Sequence, residues 1–311
     1  MNRNELAPSV SSAALPMDRP LATGAGESRP IRSRKRKLPF SMEIPRHWFG
    51  GNAVATHLAN GVNLLFPAGE RFFVRSVKYY TDRRTGGGDD AAEKDARIRG
   101  FFGQEGNHAR EHERFFAILE GQGYEIRGFL RRFERVSFGF LERISPPALN
   151  LAVTAAAEHY TAIMAEQVLE GDLLDIAHPV MRDLMSWHAA EEIEHKAVAF
   201  DVLRQVNPSY LLRVAGMILA SLALACWWLI GTRMLLRQDD IDRAEARRIA
   251  GQLPVREGGP QIGSNAREIA RNVFWKGIRS YLRRDFHPDN NDNYHLAQKY
   301  LSRIDDPTIE A

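Results

Sequence analysis

Two copies of a Glu-x-x-His unit constrain the fold of this chain of 311 residues more than any other feature. The first copy is Glu105 with His108, and the second is Glu192 with His195. Residues three apart lie on the same face of an α-helix, so each unit directs a carboxylate and an imidazole to one side. Each unit therefore predicts a helix with one strongly polar face.

Two further glutamates lie in segments that otherwise suit burial. Glu70 stands between the apolar run 64–66 and the aromatic pair 72–73, and Glu158 follows the small, largely apolar run 152–157. One glutamate from each of two helices plus a Glu-x-x-His from each of two others is the ligand set of ferritin-like di-iron and di-manganese bundles. Four carboxylates in an apolar core would be too costly unless cations or protons neutralised them. We therefore predict an all-α, ferritin-like four-helix bundle, with additional helices, that holds two metal ions.

A third histidine extends the second unit. His188 stands four residues before Glu192 and continues the same helical stripe through His195. It is a candidate third nitrogen ligand, and the alternative is a buried histidine that orients a carboxylate. Glu191 is an alternative to Glu192 as a metal ligand, because it lies four residues before His195. Glu194 points elsewhere, so we expect it in solvent.

The first unit overlaps a different motif. The segment from His108 to His112 fits H-x-x-E-H, a zinc-peptidase pattern in which both histidines bind the metal and the glutamate, here Glu111, is the general base. That interpretation leaves the repeated unit and the lone glutamates unexplained. In the two-metal hypothesis, which we favour, His112 supports a ligand or faces the substrate.

Helical patterning dominates the chain from about His47, with no convincing alternation of the kind that predicts a β-strand. The apolar periodicity and the Gly and Pro breaks predict helices near 67–80, 91–120, 124–144, 148–169, 179–206, 265–284 and 292–304. Residues 1–38 are rich in Ser, Pro, Gly and Arg and predict a disordered basic tail. Residues 39–311 predict one helical metal-binding domain.

Composition limits the classes of function. The net charge of +3 is concentrated in the basic run 32–37, which is more typical of a solvated tail than of a nucleic-acid site. The single cysteine, Cys226, excludes an intramolecular disulfide and has no histidine nearby to activate it. The N-terminal segment has no apolar core of the kind a secretory signal needs, so we expect a cytoplasmic protein.

One segment departs from the composition of a soluble domain. Residues 214–232 contain no charged side chain over 19 positions, within an apolar helix that we expect at 212–236. A helix of that length spans about 28 Å, close to the thickness of a bilayer core. The flanking Arg213 and Arg233 would suit attachment to the inner membrane. The small residues of the segment equally suit a buried bundle helix or a helix that joins two copies in a homodimer.

Five segments carry a family resemblance: IPRHW at 44–48, FPAGERFF at 66–73, QEGNH at 104–108, WHAAEEIEHK at 187–196 and FHP at 286–288. Through them the chain, from about residue 44 to residue 300, resembles the bacterial family of predicted metal-dependent hydrolases. The resemblance implies metal dependence and, by the family's description, hydrolysis.

The order of the candidate ligands separately resembles that of the di-iron arylamine N-oxygenases. Those enzymes share the ferritin-like fold and add a histidine four residues before the last Glu-x-x-His. Carried over by motif, the resemblance implies seven metal ligands, which are Glu70, Glu105, His108, Glu158, His188, Glu192 and His195.

Two functions follow from these ligands. Our first hypothesis is a di-iron site that activates O₂ to oxidise a small, hydrophobic substrate, with electrons from a separate donor. The alternative is hydrolysis of an ester, amide or phosphate by water activated on two ions of iron, manganese or zinc. Metal storage, a third class, predicts the same ligands without a substrate pocket. Candidates for an apolar lining are Phe72, Phe73, Phe101, Phe102 and Tyr160, and the nearest cations are Arg71 and Arg110.

Overall fold

The computed structural model describes residues 29–40, 43–83, 91–250, 275 and 277–305. Within these ranges the chain is helical, and the only β-pairing is an isolated bridge between Phe49 and Ala177. The all-α prediction is confirmed, whereas the assignment to the ferritin-like fold stays a prediction. The helices are α1 (Ala53–Asn63), α2 (Phe66–Thr81), α3 (Ala91–Gly121), α4 (Arg127–Glu134), α5 (Glu142–Ile144), α6 (Pro147–Glu170), α7 (Pro179–His195), α8 (Val198–Val206), α9 (Tyr210–Gln238), α10 (Arg243–Ala250), α11 (Gly277–Tyr281) and α12 (Tyr294–Asp305).

Four helices form a closed ring. Helix α2 packs against α3 and α6, and α7 packs against the same two helices. Pro67, Pro147 and Pro179 each lie at the start of one of these helices, where the missing backbone N–H costs no hydrogen bond. The interior of the ring is the region toward which the candidate ligands were predicted to point.

Apolar residues close the ring on both sides of its polar interior. On α3, Phe115 and Leu119 join one buried cluster, whereas Ile98 and Phe101 join a second. The same change occurs along α2, where residues near its start belong to the first cluster and Val77 to the second. The polar side chains between the two clusters are therefore separated from bulk water.

Two predicted helices differ from those observed. The segment 179–206 is not one helix, because α7 ends at His195 and α8 begins at Val198. The segment 124–144 contains a π-helical stretch, Arg135–Leu141, between α4 and α5. Most of the helix predicted at 265–284 lies outside the described residues. In the described part of that segment, α11 forms a short helix.

The start of the described chain packs on the ring. Residues 29–40, here called the strap, run without helix or strand along α3, and Leu38 is 1% exposed. The strap comes so close that a Cβ on Gly100 would lie 2.3 Å from the Ile31 oxygen, and one on Gly103 would lie 2.6 Å from Ser33 Cβ. Residues 29–38 thus differ from the tail expected at 1–38, and the remainder of that tail lies outside the described residues.

Helix α9 contains the apolar stretch and is longer than the predicted 212–236. By length and composition it is apolar enough to cross a membrane. One face packs along α6 and α1, with Gly216 so close to α6 that a Cβ would lie 2.4 Å from the Ala152 oxygen. The opposite face is exposed, and so is Cys226.

Candidate metal centre

All seven predicted ligand side chains lie inside the ring of α2, α3, α6 and α7, and none is more than 4% exposed. Their oxygen and nitrogen atoms form overlapping groups whose members lie within 4.8 Å of one another. These groups are Glu105–Glu158–Glu192–His195, Glu70–Glu105–His108, His108–His188–Glu192 and Glu70–His112–His188. The structure therefore brings the predicted residues together and adds His112 to them.

One half of the centre, here called the carboxylate end, consists of Glu105, Glu158, Glu192 and His195. His195 Nε2 lies 3.0 Å from Glu105 Oε1, 3.3 Å from Glu158 Oε2 and 3.4 Å from Glu192 Oε2. Three helices supply these carboxylates around a single imidazole. This end contains most of the carboxylates of the centre.

The other half, here called the histidine end, consists of Glu70, His108, His112 and His188. The rings of His108 and His188 are stacked with their centroids 4.1 Å apart, and His188 Nε2 lies 3.6 Å from Glu70 Oε1. His188 Nε2 also lies 2.8 Å from Oε1 of Glu192. Because Glu192 contacts histidines of both ends, it links the two halves.

A second set of hydrogen bonds fixes the orientation of three imidazoles. His195 Nδ1 donates to Gln104 Oε1 at 2.8 Å, and His108 Nε2 donates to Glu191 Oε2 at 2.9 Å. His188 Nδ1 shares a hydrogen bond of 2.7 Å with His112 Nε2. In each ring the other nitrogen is left facing the carboxylates. Metal-binding histidines are held in this way, because the outer hydrogen bond sets the tautomer and the angle of the ring.

Many atoms that face the interior have no hydrogen-bond partner among the residues that the structure describes. They include both carboxylate oxygens of Glu70, Glu105 and Glu158, Oε2 of Glu192, Nδ1 of His108 and Nε2 of His195. Buried polar atoms in folded proteins are nearly always paired, so such a concentration needs an explanation. The donors are carboxylate oxygens and imidazole nitrogens, which suit divalent ions of iron, manganese or zinc. The residues present therefore fit bound metal.

Burial changes the protonation of the metal-free centre. It raises the pKa of Glu105 to about 8 and that of Glu158 to about 7. Burial alone would lower the pKa of His195, but Glu192, Glu158 and Glu105 raise it well above its ordinary value. A proton on His195 and protons on the glutamates thus supply part of the positive charge that metal ions would otherwise provide.

The outer hydrogen bonds of both ends lead to Arg34 in the strap. Its guanidinium donates to Glu191 at 3.3 Å, and Glu191 accepts from His108. The guanidinium also donates to Glu194 at 2.7 Å, and Glu194 accepts from Nε2 of Gln104, the amide that holds His195. One cation from the start of the chain therefore supports an imidazole at each end.

Two sequence predictions about α7 need correction. Glu194 was expected in solvent but is 8% exposed, because Arg34 and Gln104 enclose it. Glu191 was weighed as a replacement for Glu192, yet its oxygens contact Arg34 and His108. The one signal that pointed to these contacts was the basic run 32–37, which composition alone assigned to a solvated tail.

The zinc-peptidase interpretation of H-x-x-E-H does not agree with the position of Glu111. This carboxylate accepts from the Leu38 backbone N–H at 3.3 Å and from Arg114, on the side of α3 that meets the strap. A general base would have to face the same space as His108 and His112. Glu111 is instead an anchor for the strap.

An apolar pocket of about 260 Å³ lies beside the histidine end. Glu70 is part of its wall, and so are three of the five aromatic residues predicted to form an apolar lining: Phe72, Phe73 and Tyr160. Phe101 packs against the His195 ring instead, with the ring centroids 5.0 Å apart. The arginines proposed as nearby cations form contacts elsewhere, Arg71 with Glu113 and Arg110 with Asn107.

Comparison with known proteins identifies the family of the chain. A family model described as predicted metal-dependent hydrolase matches residues 32–292, a range that includes the strap from Arg32 onward and all seven candidate ligands. No curated protein and no solved structure is similar enough to match. Because the family model covers most of the sequence, the chain belongs to the family of predicted metal-dependent hydrolases.

Proposed function

We propose that this protein is a hydrolase whose buried centre holds two divalent metal ions and cleaves an ester or amide bond in an uncharged substrate. The observation that carries the proposal is the orientation of three imidazoles, each held by a hydrogen bond at its outer nitrogen and each directing its other nitrogen toward the buried carboxylates. Membership of the metal-dependent hydrolase family supports the type of reaction.

The two ends of the centre suit two ion positions. Glu158 and His195 would hold one ion, and Glu70, His108 and His188 the other. Glu105 and Glu192 would contribute to holding both ions, because each belongs to a candidate ligand group at both ends. When bound, such ions would supply an activated water and would polarise the carbonyl of the substrate.

The protein itself orients the ligand side chains and excludes bulk water from the centre. Gln104, Glu191 and His112 hold the imidazole rings, so little reorientation is needed when metal or substrate arrives. The apolar clusters on both sides of the centre exclude bulk water and strengthen the electrostatic interactions within it.

The charges around the centre favour an ester or amide over a phosphate. A phosphoryl group brings negative charge, which enzymes commonly meet with Arg or Lys. The guanidiniums of Arg71 and Arg110 contact Glu113 and Asn107 near the surface. The pocket wall beside Glu70 is mostly apolar and aromatic. An uncharged acyl substrate therefore suits this environment better.

Oxidation is a second candidate, which one observation favours. The four glutamates and the two Glu-x-x-His units lie on four helices that pack in a closed ring, the arrangement used by di-iron carboxylate proteins. A reduced di-iron pair would supply O₂ activation and would require an electron donor. Metal storage is less well supported, because it gives no role to the apolar pocket beside Glu70.

One experiment distinguishes these functions. Protein freed of metal with a chelator is reloaded with zinc, manganese or ferrous iron, and its metal content is measured by elemental analysis. Each form is assayed with 4-nitrophenyl esters, the matching anilides and 4-nitrophenyl phosphate, and the iron form is also assayed for O₂ uptake in the presence of a reductant. We expect about two metals per chain and metal-dependent cleavage of the ester or anilide.

The control variant is Glu113→Gln, which changes an exposed glutamate on α3, the helix that carries Glu105. It should keep metal and activity, whereas Glu105→Gln should lose both. Sustained O₂ uptake by the iron form, with no hydrolysis by any form, would overturn the proposal in favour of oxidation.

A further inference from the structure

The apolar pocket is enclosed by α2, α6, α9 and the stretch of chain from α4 to α5, and it reaches the metal centre through Glu70. We propose that it binds the hydrophobic chain of the substrate, with the reactive group placed at Glu70. This inference rests on the proposed function, because it assigns the substrate class of the same centre.

The pocket has an inner and an outer end. At the inner end Glu70 is 1% exposed, and the ring of Phe66 lies 4.5 Å from that of His188 and 4.8 Å from that of His112, measured between centroids. At the outer end Leu141 and Leu219 are each more than 40% exposed. A substrate can therefore enter beside α9 and extend inward to the histidine end.

The wall favours a chain without charge. Apart from Glu70, the acidic residue in the wall is Glu142, which is neutralised by Arg75 at 2.6 Å. The remainder of the wall is largely Leu, Phe, Val, Ala, Met and Trp side chains. A volume of about 260 Å³ is near the lower limit for small-molecule sites, which suits a single aliphatic or aromatic chain.

Chain length tests this assignment. In a series of 4-nitrophenyl esters, each added methylene should raise kcat/KM about fourfold until the pocket is full, because each one leaves water. Ala223→Trp places an indole in the wall near the exposed end, whereas Cys226→Trp places the same group on exposed α9 outside the wall. Ala223→Trp should lower kcat/KM for long esters at least tenfold more than kcat/KM for the acetyl ester, and it should leave the metal content unchanged. Cys226→Trp should change none of these quantities.

A binding measurement separates the pocket from the reaction. An apolar fluorescent dye should bind the unmodified protein and the Cys226→Trp variant, and Ala223→Trp should weaken that binding. Dye binding with this pattern but without hydrolysis would refute the hydrolase and keep the pocket. Equal rates across the ester series, or equal loss for short and long esters in Ala223→Trp, would overturn the pocket assignment.

A separate observation concerns the surface around the entrance. The outward face of α9 and the neighbouring stretch from the π-helix to α5 expose a set of large apolar side chains, which are Val136, Phe140, Leu141, Ile144, Leu211, Ile218, Leu219, Leu222, Leu229 and Ile230. We infer that this apolar face docks on an anionic lipid bilayer, in the plane of the interface. A hydrophobic substrate would then reach the pocket directly from the lipid.

Charge complementarity identifies the lipid. Exposed arginines stand close in sequence to the residues of the apolar face, and they are Arg131, Arg132, Arg135, Arg143, Arg233 and Arg237. Amphipathic surfaces with apolar centres and basic borders bind the interfaces of anionic membranes. The inward face of α9 packs on α6 and α1, so the helix lies on the protein and docks sideways.

Vesicle sedimentation tests the docking. The full chain should bind vesicles of mixed phosphatidylglycerol and phosphatidylcholine at least tenfold more tightly than vesicles of phosphatidylcholine alone. The double variant Phe140→Ser/Leu222→Ser should lose that binding, and Tyr79→Ser, which changes an exposed aromatic residue on α2, should retain it. No binding to anionic vesicles would overturn the inference. A dimer in light scattering that Phe140→Ser/Leu222→Ser dissociates would instead assign the face to a second copy of the chain.

Discussion

The two ends of the centre differ in the atoms they offer to a metal ion. The carboxylate end surrounds one imidazole with three glutamates, whereas the histidine end brings three histidines around Glu70. Carboxylates suit hard ions such as manganese, and imidazoles suit zinc and iron. The first Glu-x-x-His unit is divided between the ends, with Glu105 in the carboxylate end and His108 in the histidine end. The neighbours of each side chain, more than the motif, therefore set what it can bind.

The largest expected effect comes from removing the residue that the two ends share. Glu192→Ala should reduce the affinity for both ions more than about 100-fold, since outer residues alone cost 10- to 100-fold. Elemental analysis after dialysis measures the loss, and Glu113→Ala is the matched surface control. Retention of one ion in Glu192→Ala would show that the ends are independent.

A smaller effect should follow when only one end is changed. We expect Glu158→Ala to lose the ion of the carboxylate end and Glu70→Ala the ion of the histidine end, so that each variant keeps about one metal per chain. Competition between manganese and zinc for the remaining position then compares the ends directly. Glu70→Ala should retain more manganese and Glu158→Ala more zinc. Identical metal preferences in the two variants would contradict the comparison.

Arg34 affects both ends without touching either ion position. Arg34→Met leaves Glu191 and Glu194 buried without their cation, so we expect a loss of about 3 kcal/mol in the free energy of unfolding. Metal affinity should fall about 10-fold or more at both ends. Arg36→Met, which breaks a more exposed ion pair with Asp183, should cost about 1 kcal/mol at most. Chemical denaturation and metal titration measure the two effects, and an Arg34 variant that resembles the Arg36 variant in both would refute the role of the strap.

The smallest expected effect is a change of stability with pH, which arises from titration of the carboxylate end. Folding raises the pKa of Glu105 to about 8 and of Glu158 to about 7, and it raises that of His195. At these three groups the folded, metal-free protein therefore holds more protons than the unfolded chain. Above about pH 7, where the histidines of an unfolded chain are mostly neutral, its stability should fall as pH rises.

Thermal unfolding of chelator-treated protein between about pH 7 and pH 9 tests this expectation. The Tm should drop by several degrees as pH rises, and Glu158→Gln should make the drop smaller because it cannot ionise. Metal-loaded protein should show little change, since bound cations replace the protons. A Tm of the metal-free protein that rises over this interval would contradict the sign.

Local sequence signals predicted the helices that carry the candidate ligands. Helix α2 was expected at 67–80 and covers Phe66–Thr81, and α3 was expected at 91–120 and covers Ala91–Gly121. Proline in the first turn and glycine near the last turn determine where a helix begins and ends. Both act on neighbouring residues, so the local sequence is enough to predict these boundaries. That the seven side chains bind metal stays a prediction, although they converge as the motif required.

Long-range contacts explain what the sequence did not predict. The break between α7 and α8 falls at Lys196, whose Nζ reaches the Asn291 oxygen at 2.6 Å and Asn293 Oδ1 at 2.7 Å. Arg34 was placed in a solvated tail because its neighbours are basic, but its partners lie 157 and 160 residues later. No periodicity or composition near either residue contains this information.

The strap also constrains when, during synthesis, the centre can be completed. Arg34 leaves the ribosome 157 residues before Glu191 and 271 residues before Asp305, with which it pairs at 2.9 Å. At 5 to 20 residues per second, Arg34 waits on the order of ten seconds or longer for its last partner. The contacts of the strap with α7 therefore form only after Glu191 and Glu194 have been made, and the ion pair with Asp305 follows later still.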